Sequence, residues 1–117
     1  MSGREWRFRI EDMLQALAGI AEDVRGMDHE AFLSDRKTRN SVARELEIIG
    51  EAARFVPAEI EAAYPGIPWH LMRGMRNVVA HEYFAVDWGI VWETASNDLP
   101  PLVPLLQQIL TDQPCGN

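Results

Sequence analysis

The sequence predicts an all-α protein, an antiparallel bundle of four main helices joined by shorter ones. Three observations carry that expectation. Apolar residues recur at spacings of three and four through several long stretches, the period of a helix with one buried face. No stretch alternates apolar and polar residues as a half-buried strand would. Pro57, Pro68 and the group Pro100, Pro101 and Pro104 punctuate the periodic stretches, where a missing amide hydrogen ends or opens a helix.

The first helix is expected over residues 4–25, with Ile10, Met13, Leu14, Leu17, Ile20, Ala21 and Val24 as its apolar stripe. Gly26 and Asp28 mark its end, and a short turn or helix follows through HEAFL. The second long helix spans residues 34–56, with Val42, Leu46, Ile49, Ala53 and Val56 facing inward, and Pro57 stops it. PAEIEAAYP reads as a short helix with Pro57 in its favoured first turn. Pro68 opens the third main helix, residues 68–82. Gly74 lies inside it, expected to permit close packing at a cost of about 1 kcal/mol in helix propensity. Asp87 is placed to cap the last helix, residues 88–99. The prolines from Pro100 onward force a kink or a fresh start, with Asn97 or Asp98 as a second cap. Residues 112–117 read as a frayed tail.

The 117 residues suit one domain with one core, and 47% hydrophobic with 25% charged residues indicates a soluble globular class. No apolar run nears the roughly 20 residues that span a bilayer, so no membrane association is expected. The opening MSGREWRFRIED lacks an apolar signal core, and Cys115 is a single cysteine, so a reducing cytoplasm is the expected location. A net charge of −7 disfavours a protein that coats nucleic acid non-specifically. The charge is uneven, however. From Phe84 onward there are four acids and no Lys or Arg, whereas residues 34–56 carry five basic residues against four acids. Arg73 and Arg76 extend the positive side. The pattern fits a local basic cleft on an acidic body, and equally a set of solvated helix faces.

Residues 76–83, RNVVAHEY, hold the candidate chemistry. His29, His70 and His81 share no metal-ligand spacing, so no metal site is expected. His29 and His70 suit solvent-facing or capping positions. At about 100° per residue, Arg76 and Tyr83 fall within about 20° of one another. Asn77 and His81 share a face, with Arg73 one turn earlier on that side. Arg76 and His81 diverge by about 140°. They meet only if the helix unwinds near His81, if the arginine reaches around, or if a two-fold partner supplies a second copy. Two readings stay open at this point. In the structural one, Arg76 pairs with an acid of the second helix and His81 bonds a backbone carbonyl. In the other, these residues form an active site. Glu47 and Glu51 supply the acid: Glu51 sits where it could hold Arg76 or Arg73, or the two acids could be exposed and bonded to Arg44 or Arg54. The four tryptophans suit packing roles.

The blocks IIGEA (48–52), IPWHLMRGMRN (67–77), VVAHEY (78–83) and DLPPL (98–102), in this order, resemble the HepT-like toxin family of the HEPN superfamily of small helical RNA-associated domains. The resemblance implies a metal-independent endoribonuclease without cofactors, acting as the toxin of a bacterial toxin–antitoxin pair. The family motif falls on Arg76, His81 and Tyr83, with Asn77 as the polar residue after the arginine. The family works as a homodimer with two motifs facing one cleft. Its antitoxin is a minimal nucleotidyltransferase of the MntA type that transfers AMP from ATP to the motif tyrosine, here Tyr83. On RNA, His81 is then the general acid–base, Arg76 the phosphate clamp and Asn77 an orienting or RNA-contacting group. Arg73 and Glu51 are supporting residues. One rival is a non-catalytic helical dimer that serves a nucleotidyltransferase partner, which suits the −7 charge. A second is a histidine phosphotransfer domain, which needs an exposed mid-helix histidine, whereas His81 stands near a helix end between Ala80 and Glu82.

Overall fold

The computed structural model describes residues 5–81 and 86–113, with side chains described for 5–76 and 86–113. Among the described residues, seven α-helices follow in order: α1 (Glu5–Asp23), α2 (His29–Ser34), α3 (Arg36–Ala53), α4 (Ala58–Ala63), α5 (Trp69–His81), α6 (Trp88–Glu93), continued by a π-helical turn (Thr94–Asp98), and α7 (Leu102–Asp112). No strand occurs among the described residues. The expected all-α bundle is therefore the fold.

α3 is the central element, packed against α1 on one side and α5 on the other. The pairing of α1 with α3 is antiparallel. Asp23 accepts a hydrogen bond from Ser41, Gly19 faces Glu45, and the Arg9 guanidinium lies over the Phe55 ring. α7 returns along α1, where Arg7 donates to the Leu110 carbonyl at 3.2 Å and to that of Gln113. The stripe read for α3 is buried throughout: Val42, Leu46, Ile49, Ala53 and, just beyond it, Val56. From α1, Ile10, Met13, Leu17 and Ile20 enter the same core, joined by Trp69 and Met72 of α5 and by Leu102, Leu106 and Ile109 of α7. Ala21, placed on the inner face by its spacing, is exposed, and Ala16 is buried instead.

Local chemistry sets the boundaries. Gly26 adopts φ 76°, a left-handed turn that other residues reach at a cost. Asp28 caps α2 by accepting from the Ala31 amide at 2.8 Å, and Asp35 caps α3 through Thr38 at 3.1 Å. Ser34 therefore ends α2 rather than opening α3. Asp87 caps α6 as expected, accepting from Gly89 at 2.9 Å and Ile90 at 3.2 Å. Asn97 and Asp98 do not serve as a second cap. They lie in the π turn, where the Leu99 amide donates to the Thr94 carbonyl at 2.9 Å. α7 opens after Pro101 with no side-chain cap. Pro104 falls in its first turn, so one of the unsatisfied amide hydrogens that a cap would serve is absent.

Gly74 does not serve the close packing expected of it. A Cβ at Gly74 would meet nothing within 4 Å, so this residue brings no helix close. The close approach is at Gly50, where a Cβ would stand 2.6 Å from the Arg76 amide nitrogen and 2.8 Å from its Cβ. Asp112, expected in a frayed tail, is the last residue of α7. It accepts hydrogen bonds from Gln108 at 2.6 Å and from the Tyr64 hydroxyl at 3.0 Å.

Candidate active site

The site begins with the missing side chain at Gly50, which lets α3 touch the backbone of α5 at Arg76. The next residue of α3, Glu51, then faces the arginine. Arg76 Nε lies 3.0 Å from Glu51 Oε1, an ion pair. Arg54 approaches the same oxygen at 3.2 Å from the exposed end of α3. One carboxylate therefore lies between two guanidinium groups, Arg76 of α5 and Arg54 of its own helix. The Arg76 and Glu51 side chains are 38% and 41% exposed, so this ion pair contributes little to stability, at most about 1 kcal/mol. Its larger effect is to fix the direction of Arg76.

Arg73 is held elsewhere. It donates to Glu61 of α4, so the structure brings Arg76 and Glu51 together and draws Arg73 toward the neighbouring short helix. Asn77 and His81 belong to α5 by their backbone. Their side chains, and the whole of Tyr83, lie outside the described residues. Because α5 is helical up to His81, the backbone keeps the divergence of about 140° between Arg76 and His81. What remains of the earlier alternatives is the reach of the arginine or a second copy of the motif.

Beside the Arg76–Glu51 pair opens a cleft of about 370 Å³ between α1, α3 and α5. Arg9, Arg44 and Arg76 line it together with Asp12, Glu47 and Glu51. The cleft is balanced in charge rather than simply basic. Sequence reasoning missed Arg9 as a neighbour of Arg76, because only the antiparallel pairing of α1 with α3 brings it there, whereas Arg44 was already grouped with Arg76 on the positive side. It also missed Gly50, although a glycine inside the helical IIGEA carried the same signal that was credited to Gly74.

Two carboxyls elsewhere are perturbed. The Thr38 amide and hydroxyl bonds hold Asp35 below its ordinary value. Burial, and then the Asp23 charge, raise Glu45, which lies against Gly19 of α1. Of the other histidines, His29 is exposed and stacks parallel to the Trp92 ring with centroids 6.2 Å apart, and His70 is exposed in the first turn of α5. Among the described residues, no group of three His, Cys, Asp or Glu side chains is placed to hold a metal ion.

Comparison with known proteins gives this geometry a family. The ribonuclease HepT-like family matches residues 13–109, which include α3, α5 and the Arg76 contact. A relative in Thermococcus cleftensis, named as a candidate ribonuclease HepT, is 42% identical over 93 residues, 80% of this chain and 84% of that one. A candidate RNase of Methanocaldococcus jannaschii is 35% identical over 112 residues, 96% of this chain and 97% of its own. Another, from Caldanaerobacter subterraneus, is 37% identical over 101 residues, covering 86% and 90%. No solved structure matches the chain. The helical bundle built around the Gly50–Arg76 contact belongs to the ribonuclease HepT-like family, a family of RNA-cleaving enzymes.

Proposed function

We propose that this protein is a metal-independent endoribonuclease in which Arg76 and His81 are the catalytic residues. The observation that carries the reading is the ion pair of Arg76 Nε with Glu51 at 3.0 Å, beside the backbone contact at Gly50. An arginine held through Nε presents its two terminal amino groups as a fork, the geometry that matches phosphate oxygens. Balanced as chemistry, the imidazole of His81 takes the proton of the ribose 2′-hydroxyl. The 2′-oxygen bonds to phosphorus, the bond to the 5′-oxygen breaks, and an imidazolium returns a proton to that oxygen. The products are a 2′,3′-cyclic phosphate and a 5′-hydroxyl. Arg76 offsets the charge on the pentavalent phosphate, and Asn77, one turn before His81, orients the imidazole or contacts the RNA. A homodimer with two motifs at one groove answers the divergence between Arg76 and His81 along α5.

In this proposal the protein is the toxin of a toxin–antitoxin pair. A partner nucleotidyltransferase silences it by moving AMP from ATP to the Tyr83 hydroxyl, releasing pyrophosphate. Bulk and negative charge would then occupy the groove. The test is cleavage by His81→Ala, expected to fall about 100- to 10,000-fold with the helical content intact. Arg76→Lys should fail as well, because lysine keeps the charge and loses the fork. Full activity in His81→Ala would overturn the assignment. The balanced cleft and the −7 charge favour one second reading, a non-catalytic partner of the nucleotidyltransferase. Purified protein that binds such a partner and cuts no RNA would establish it.

A further inference from the structure

We propose that Phe55, together with Arg9, is a stacking platform for one base of a single-stranded RNA, beside the phosphate held at Arg76. The proposal deepens the ribonuclease reading and rests on it. Phe55 lies just past the end of α3 and is 49% exposed, although its neighbour Val56 is only 6% exposed. Val56 anchors this turn in the core, and the phenyl ring faces outward.

The ring is not bare. The Arg9 guanidinium lies over it, 4.1 Å from the ring centroid, and that of Arg54 stands 5.9 Å away. Arg9 also lines the cleft that Arg76 lines, and Arg54 shares Glu51 with Arg76. An exposed aromatic face, two planar cations and the candidate catalytic arginine therefore occupy one continuous surface.

Bases of single-stranded RNA stack on aromatic rings and on guanidinium planes alike, and the same guanidinium groups attract the phosphates on either side. A phosphodiester fixed at Arg76 carries its flanking nucleotide along the cleft toward this ring. The stacked base can replace Arg9 on the phenyl face or lie on the guanidinium itself. Either arrangement gives stacking without base-edge reading, so the platform tolerates any base.

The test uses a labelled 2′-O-methyl RNA oligomer, which cannot be cut because its 2′-oxygen is blocked. Binding is read by fluorescence anisotropy. Phe55→Ala should bind about 5- to 100-fold more weakly than the wild type, and Phe55→Trp should retain affinity. With the wild-type protein, which raises no question of folding, an oligomer of ribose phosphate lacking bases should bind more weakly by a similar factor. Equal wild-type affinity for the complete and baseless oligomers overturns the platform, as does unchanged affinity in Phe55→Ala. It is likewise overturned if Phe55→Ala keeps its RNA affinity but loses a protein partner. A wild-type protein that neither binds nor cuts RNA removes the ribonuclease reading itself. A Phe55→Ala protein that cuts with unchanged KM removes only the platform.

Discussion

Arg76 takes its direction from a carboxylate that it shares with Arg54. Because both partners are well exposed, the bond is better judged by what it orients than by what it stabilises. Glu51→Gln keeps the shape but removes the charge that attracts the guanidinium. We expect melting to be nearly unchanged and RNA cleavage to fall on the order of 10-fold, which corresponds to about 1.4 kcal/mol in the barrier. Thermal melting and single-turnover cleavage on the same preparation check this. A large drop in melting temperature with normal cleavage would show the opposite division of labour. At this scale the sequence was informative about identity and less so about pairing. RNVVAHEY marked Arg76, and IIGEA marked Glu51. Arg73, one turn from Arg76 and equally cationic, could not be assigned to Glu61 until α4 was placed beside α5.

Two glycines separate local propensity from tertiary demand at the scale of the helix. Each lies inside a helix, and each costs about 1 kcal/mol there relative to alanine. Nothing stands within 4 Å of a Cβ at Gly74, whereas one at Gly50 would meet backbone at 2.6 Å. Gly74→Ala should therefore stabilise the fold by up to about 1 kcal/mol. Gly50→Ala should destabilise it by about 1–3 kcal/mol, since α5 must move away from α3, and should weaken cleavage as Arg76 shifts from Glu51. Denaturant titration of the two variants decides the matter, and a stabilised Gly50→Ala would refute the contact. The sequence could not rank these glycines, because a propensity scale sees only the helix each belongs to. It did locate the buried stripe of α3 and the Asp87 cap, both of which depend on spacing within one element. The π turn at Thr94–Asp98 escaped it. There the backbone closes a longer ring before the prolines, and the composition of TASND does not distinguish that from an ordinary helix end.

Across the whole molecule, acidity governs the response to pH. Glu45 has a folded pKa above its ordinary value of 4.5. The native state thus holds its proton more tightly than the unfolded chain, and its ionised form opposes folding. Falling pH relieves that opposition as it passes through the raised folded value. Asp35 has a folded pKa below 3.8, so its contribution is present above that value and is lost as pH falls through the lowered one. Glu45→Gln should raise the melting temperature at neutral pH, with the advantage shrinking as the solution is acidified toward Glu45's own protonation. A benefit that grew on acidification would contradict the sign. The family blocks were readable along the chain because they are contiguous. The cleft was not, since Arg9 meets Arg76 only through the antiparallel return of α3 along α1.

The Arg7 side chain, bonded to the carbonyls of Leu110 and Gln113, clasps the first helix to the last. Where an arginine can bridge, a few residues of covalent linker can too. The chain should thus accept circular permutation, with residue 113 sewn to residue 5 and new ends opened at exposed Gly66. Such a rewired protein would keep its helices and the cleft beside Arg76 while reversing which half the ribosome makes first.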